Sequence, residues 1–259
     1  GLHVFNFVGL PDKAIEEAKD RVSSAIKNSK LVPPNQSQRR VIVNLAPADL
    51  KKEGPKYDLP IALAYLLVSK QLAFNPEGKL FVGELALDGT VRPIYGIMPI
   101  ALAAKTWGLK ELYVPQENSR EAALVEGLKI FPLKNLAEAR DHLLNLKTIA
   151  PLAATPLEPV KRGQEHDFAY IKGQEFAKRA LEIVAAGNHN ILMSGPPGSG
   201  KTLLARALVS ILPAMDKDEV LETTKIFSVA GLIQHHEPLI RTRPFRSPHH
   251  TSSAAALVL

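Results

Sequence analysis

The sequence contains no cysteine, which excludes disulfides and thiolate zinc sites and suits a reducing compartment. It contains no apolar run of about 18 residues, so no membrane-spanning helix is expected. Gly1–Leu10 has neither a basic start nor a cleavage pattern and does not read as a signal peptide. The chain opens on Gly1 rather than Met, inside a strand-like stretch, as a piece trimmed from a longer protein would. Internal repeats, low-complexity tracts and the dinucleotide-binding G-x-G-x-x-G pattern are also missing. What is present is an ordinary globular composition: 46% hydrophobic and 22% charged residues over a length of 259. That length accommodates one large or two ordinary domains with real cores. The formal charge of +6 is spread along the chain. It permits nucleic-acid contact without requiring it, and a solvated basic surface is the plainer reading.

The first half reads as a mixture of strands and helices. His3–Val8 is a strand, followed by a turn and a helix with Pro11 near its first position. Ile15, Ala18, Val22 and Ile26 line one helical face. Val41–Leu45 is a strand, and Asp58 suits the cap of a helix reaching about Ser69. Leu80–Leu85 and Val91–Ile94 flank Asp88-Gly89, a strong hairpin signal. Then come a helix over Gly96–Thr106, a strand over Glu111–Val114, a helix over Ser119–Glu126, a strand over Leu128–Phe131 and a helix over Leu136–Leu146. Antiparallel pairing together with βαβ crossovers gives an α+β or mixed α/β domain over residues 1–147. Pro151, Pro156 and Pro159 make Thr148–Arg162 unable to sustain a helix. A linker is therefore placed at 148–165. A second domain, 166–259, opens with an amphipathic helix over Gln174–Ala186 and a short buried strand over Asn190–Ser194. A helix over Lys201–Leu212 and a short one over Asp216–Thr224 follow.

Gly195-Pro196-Pro197-Gly198-Ser199-Gly200-Lys201-Thr202 matches G-x-x-x-x-G-K-[ST] at every fixed position, between an apolar strand and an amphipathic helix that continues through Leu203. The spacing suits phosphate chemistry. Glycines let successive N–H groups converge on phosphate oxygens, and the helix start adds its positive end. Lys201 can reach the β- and γ-phosphates, and the Thr202 hydroxyl can hold Mg²⁺. ATP and Mg²⁺ are the expected cofactors. Hydrolysis also needs an acidic residue at the end of a second apolar strand. Pro213–Leu259 holds no such strand, and Ala254–Leu259 is an apolar run without an acid. The ATPase domain is thus expected to be incomplete, and this chain alone is expected to hydrolyse ATP poorly or not at all.

Five stretches resemble the magnesium-chelatase-like AAA+ ATPases, nearest to their bacterial competence-associated branch. They are Phe168–Leu181, Gly187–Asn190, the P-loop, Ser228-Val-Ala-Gly231 and the run Arg243-Pro-Phe-Arg-Ser-Pro-His-His-Thr251. Phe7–Asp12, Val43–Leu50 and Gly54–Ala62 are similar to that family's amino-terminal domain. The resemblance implies a Lon-protease-like domain, of the ribosomal protein S5 domain 2 fold, ahead of an AAA+ module. It implies a cytoplasmic homo-oligomer, a hexameric ring, that binds ATP between subunits. It also implies DNA as a partner, in branch migration during homologous recombination and natural transformation, and Tyr170 and Ile171 near the adenine. A chelatase-type motor for metal insertion into a porphyrin is the alternative, and a non-catalytic assembly module a third.

The Lon likeness raises the question of proteolysis. Lys52–Lys56 resembles the Lon segment in which the nucleophilic serine follows Gly-Pro, and Lys56 stands in that place. Pro93–Met98 resembles the segment bearing the catalytic lysine, and Met98 stands there. A Ser–Lys dyad needs both groups, so the domain is expected to be inactive as a protease. His235-His236 and His249-His250 lack a carboxylate or cysteine cluster and suit structural or partner contacts better than a metal. Arg241, Arg243 and Arg246 suit DNA phosphate or a neighbouring subunit equally. Trp107 reads as packing, and Lys51, Lys52 and Lys56 as a solvated loop.

Overall fold

The computed structural model describes residues 4–37, 40–47, 49–153, 166–234, 238–248 and 251. The chain forms two compact units. The first is Gly1–Pro156 with Ser228–Pro238, and the second is Leu157–Phe227 with Leu239–Leu259.

In the first unit, β1 (Val4–Val8) pairs in parallel with β2 (Arg40–Asn44), and the chain between them crosses over through two helices, α1 (Lys13–Glu16) and α2 (Ala18–Asn28). Ile15, Ala18, Val22 and Ile26 are all fully buried, as their spacing predicts. The cap of α1 is Asp12, whose Oδ1 accepts the Ile15 N–H at 2.9 Å, so Pro11 precedes the cap rather than opening the helix. A second, three-stranded parallel sheet has the order β3 (Lys79–Phe81), β6 (Glu111–Pro115), β7 (Lys129–Leu133). Its crossovers run through α4 (Ile97–Thr106) and the short α5 (Ser119–Ala122). Both kinds of pairing expected from the sequence are present, because β4 (Glu84–Leu85) and β5 (Val91–Arg92) form an antiparallel hairpin.

Register explains how the core is filled. Phe81 lies beside Tyr113 and Tyr113 beside Phe131. Their rings stack at 4.5 and 4.7 Å between centroids, and the His142 ring lies 5.0 Å beyond Phe131. The helix α3 (Asp58–Val68) packs on α2 within the same apolar cluster, which also takes Leu136 and Leu143 from α6 (Leu136–Leu143).

Three local expectations fail here. Leu80–Leu85 is not one strand: the chain breaks at Val82-Gly83, so Leu80 and Phe81 join the parallel sheet and Leu85 joins the hairpin. Ser119–Glu126 is helical only to Ala122, after a turn of 3₁₀ helix over Gln116–Asn118. Asp58 does not cap α3. Its carboxylate, 1% exposed, accepts from Arg21 Nε at 2.6 Å, Arg21 Nη2 at 3.1 Å and the Leu85 N–H at 3.1 Å. Burial pushes this carboxyl above its ordinary value, and the Arg21 guanidinium opposes that.

The second unit is built on helices: α7 (Glu175–Gly187), α8 (Lys201–Ile211) and α9 (Lys217–Val229), whose last two residues fall within the first unit. Its apolar cluster is Ile171, Leu181, Leu204 and Ala207. The buried strand expected over Asn190–Ser194 is a correction. The segment has no strand partner among the described residues, and Leu192 is 93% exposed. A strand is stabilised by a ladder and a covering layer, and here the described residues supply neither. At α9, Asp216 and Glu219 form a reciprocal capping box: Glu219 N donates to Asp216 Oδ1 at 2.8 Å, and Asp216 N to Glu219 Oε2 at 3.0 Å. The helix runs to Val229, beyond the expected Thr224. No described helix is long and apolar enough to cross a membrane. Part of the expected linker, 154–165, lies outside the described residues.

Candidate nucleotide-phosphate site

The glycine loop Gly195–Gly200 leads directly into α8, with Gly200 as the residue before the helix and Lys201 as its first residue. Gly198 and Gly200 have φ of +79° and +84°, a region that side chains with a β carbon rarely adopt. A β carbon on Gly198 would meet no atom within 4 Å, so that glycine serves backbone conformation rather than packing. The loop and the helix start thus present backbone N–H groups at a positive helix end, which fits a polyphosphate.

The charged group is at the loop itself. Lys201 Nζ donates to the carbonyls of Gly195 and Pro196, each at 2.8 Å, and lies 3.2 Å from Ser199 Oγ. A phosphate oxygen would replace those neutral carbonyl acceptors with a negatively charged one, making an ion pair. Thr202 and Leu203 follow in the first turn, both exposed. Thr202 is therefore free to offer its hydroxyl to a metal ion carried by a nucleotide.

Phe168–Tyr170 forms a 3₁₀ turn held to α8, with the Phe168 N–H donating to Ser210 Oγ at 2.9 Å. This brings Tyr170 and Ile171 into the same unit as the P-loop. Their side chains differ: Tyr170 is 75% exposed, whereas Ile171 is 7% exposed and packs with Leu181 and Leu204. Only Tyr170 has a side chain free to meet a base.

Gln174 belongs to this site although its residue type gave no warning of it. Its Nε2 donates to the Ser199 carbonyl at 2.9 Å from a left-handed backbone position just before α7. A glutamine between a loop and a helix has no spacing signature of its own, and only the fold brings it beside residue 199.

The other singled-out residues take varied places. Met98 is fully buried in α4, and its N–H is directed at Glu121 Oε1 (3.1 Å) and Ser228 Oγ (3.4 Å). Lys56 lies in the 3₁₀ turn Pro55–Tyr57, its Nζ 5.7 Å from the Tyr57 ring centroid. Neither position carries a hydroxyl nucleophile or an amine–hydroxyl pair. Lys52 corrects the expectation of a solvated loop: it is 7% exposed, with its ammonium on the carbonyls of Pro47 and Leu50. Each of those carbonyls would otherwise want a donor. Trp107 also departs from expectation: at the end of α4 it is 69% exposed rather than packed. Arg243 is engaged within its own unit, bidentate to Glu219 at 2.7 and 2.8 Å and donating to the Pro213 carbonyl at 2.9 Å. Arg246 stacks on Phe227 at 5.2 Å. His235, His236, His249 and His250 lie outside the described residues, and no metal-ligating cluster occurs among the described ones.

A glycine loop that delivers a lysine and a threonine into the first turn of a helix is the arrangement of the P-loop class of proteins. Comparison with known families narrows the class. Residues 1–118 match the family described as subunit ChlI of Mg-chelatase, and residues 167–259 match magnesium chelatase, subunit ChlI. The competence protein ComM of Haemophilus influenzae is 43% identical over 264 residues, covering 98% of this chain and 50% of that protein. An uncharacterized protein, YifB of Escherichia coli, is 41% identical over 259 residues, covering all of this chain and 50% of that protein. A Lon protease of Rhizobium meliloti is 27% identical over 137 residues, 51% of this chain and 17% of that protein. The chain belongs to the magnesium-chelatase-like family that includes ComM and YifB. It spans about half the length of these two relatives.

Proposed function

We propose that this chain is the nucleotide-binding part of an AAA+ motor that handles DNA, and that it binds ATP with Mg²⁺ at Gly195–Thr202. The observation that carries the reading is the P-loop itself, with Gly198 and Gly200 at positive φ and Lys201 opening α8. Lys201 would bear on the β- and γ-phosphates, Thr202 would hold the metal, and Tyr170 would lie against the base. Bound Mg²⁺ would neutralise developing charge on the phosphates. The likeness to a competence protein supports DNA as the partner and, for the longer protein, branch migration in recombination. By the same analogy the motor works as a cytoplasmic homo-oligomeric ring, hexameric as AAA+ motors commonly are.

The first unit is read as a Lon-type domain without proteolysis. Lys56 and Met98 stand where a serine and a lysine would be needed, and neither can fill the missing role. Covalent labelling of the purified chain by a serine-reactive fluorophosphonate would contradict this. Its domain limits are proposed as 1–147, with a linker at 148–165 and the ATPase part at 166–259.

The isolated chain binds ATP but turns it over poorly, since no acid-ended apolar strand follows the P-loop. Steady-state phosphate release that disappears in Lys201→Ala would overturn that point. The DNA reading is tested on the longer protein: salt-sensitive binding to branched or single-stranded DNA is expected. The family's chelatase members support a second reading, in which ATP-dependent association with a porphyrin-binding subunit would be seen instead.

A further inference from the structure

We infer that Gln174 is a positioning residue for the P-loop: it sets the orientation of the Ser199–Gly200 peptide so that the Gly200 N–H faces the triphosphate. The inference rests on the nucleotide-binding reading above. Gln174 Nε2 donates to the Ser199 carbonyl at 2.9 Å. In a trans peptide the C=O and the following N–H point in opposite directions. Holding the Ser199 oxygen towards α7 therefore turns the Gly200 N–H away from it. That N–H has no protein acceptor among the described residues and stands at the start of α8, at the residue before Lys201.

Two further features show that the contact is built rather than incidental. Gln174 holds a left-handed backbone (φ 59°, ψ 39°), uncommon for a residue with a side chain, and its own carbonyl accepts the Lys178 N–H at 2.9 Å. The end of α7 is thereby fixed while the carboxamide reaches across 25 residues of sequence. A β carbon on Gly200 would come within 3.3 Å of Gln174 Nε2, so the glycine at 200 admits the amide as well as the turn. A carboxamide suits the task, because it donates without adding charge. A glutamate would set an acceptor against the Ser199 carbonyl and a negative charge beside a phosphate site.

The test uses the 259-residue chain and a fluorescent ATP analogue with Mg²⁺, with affinity read by titration. Gln174 is exposed, so its replacement leaves the apolar cluster intact, and circular dichroism together with hydrogen exchange across α8 checks the fold. Gln174→Met, which cannot donate, is expected to weaken binding about fivefold, the worth of one hydrogen bond. Gln174→Glu is expected to weaken it more than Gln174→Met, because it sets an acceptor against the Ser199 carbonyl and a negative charge beside the phosphates, and the excess loss is expected to shrink as salt is raised. A merely structural role would give no such salt dependence relative to wild type. Wild-type binding with both variants within twofold of it at low and high salt would overturn the role of Gln174 alone. Absence of analogue binding by the wild type would overturn the nucleotide-binding reading and this inference with it.

Discussion

The apolar cluster of the first unit draws on α2, α3, the parallel sheet and α6, and includes the stacked rings of Phe81, Tyr113 and Phe131. That of the second unit is Ile171, Leu181, Leu204 and Ala207, while Phe176 and Leu192 are each 93% exposed. The first unit buries even its charges, as Asp58 against Arg21 and Lys52 against two carbonyls show. The second leaves Thr202 and Gln174 exposed and Lys201 half-buried, around a glycine loop. Packing and candidate chemistry are thus separated along the chain. Substitutions in the first unit should act on stability, and substitutions at the P-loop on binding.

The sharpest way to break that contrast is at the centre of the aromatic stack. Tyr113→Ala should destabilise the first unit by about 3–5 kcal/mol, as large-to-small core changes do, with the loss read from chemical denaturation. It also removes the donor to Glu111 Oε2 at 2.9 Å. Burial and that neighbouring carboxylate hold the Tyr113 hydroxyl well above the usual phenol range, so it remains a donor at any ordinary pH. Asp58→Ala should cost about 3 kcal/mol, since it strands the Arg21 guanidinium and the Leu85 N–H. Neither change should alter nucleotide affinity under conditions where the protein stays folded. A matching loss of affinity would show that the units are not energetically separate.

A smaller effect follows from His142. Its Nδ1 accepts the Ile149 N–H at 2.9 Å, which requires the neutral ring, and burial lowers its pKa. An unfolded histidine takes up its proton near about pH 6.5. Below that value the unfolded state binds more protons than the folded one, so this contribution is intact above about pH 6.5 and is lost as pH falls through the folded pKa. His142→Phe should flatten the slope of stability against pH in that window. The least effect belongs to Trp107→Ala: at 69% exposure the indole contributes little, and the change should stay within about 0.5 kcal/mol.

Much of this was legible from periodicity. The buried face of α1 and α2, the hairpin at Asp88-Gly89 and the helix after the P-loop all follow from local pattern and turn chemistry. The failures share a cause, which is dependence on a distant partner. Gly83 lets one apolar run serve two sheets, because Phe81 finds Tyr113 while Leu85 finds Val91. Asp58 has the residue type of a cap, but Arg21 claims it from 37 positions away. Asn190–Ser194 has the composition of a buried strand and no described neighbour to pair with. At the P-loop, Lys201 and Thr202 announce themselves through a fixed spacing, whereas Gln174 joins them only through the approach of α7.

The central claim is that the second unit binds a nucleoside triphosphate through Lys201. Calorimetric titration of the chain with ATP and Mg²⁺ tests it most directly, with Lys201→Ala alongside. Saturable one-site binding by the wild type and at least a tenfold loss in the variant are expected, since a charge-assisted contact is removed, while denaturation of the first unit is unchanged. Equal affinity in the two proteins, or no binding by a folded wild type, would contradict it.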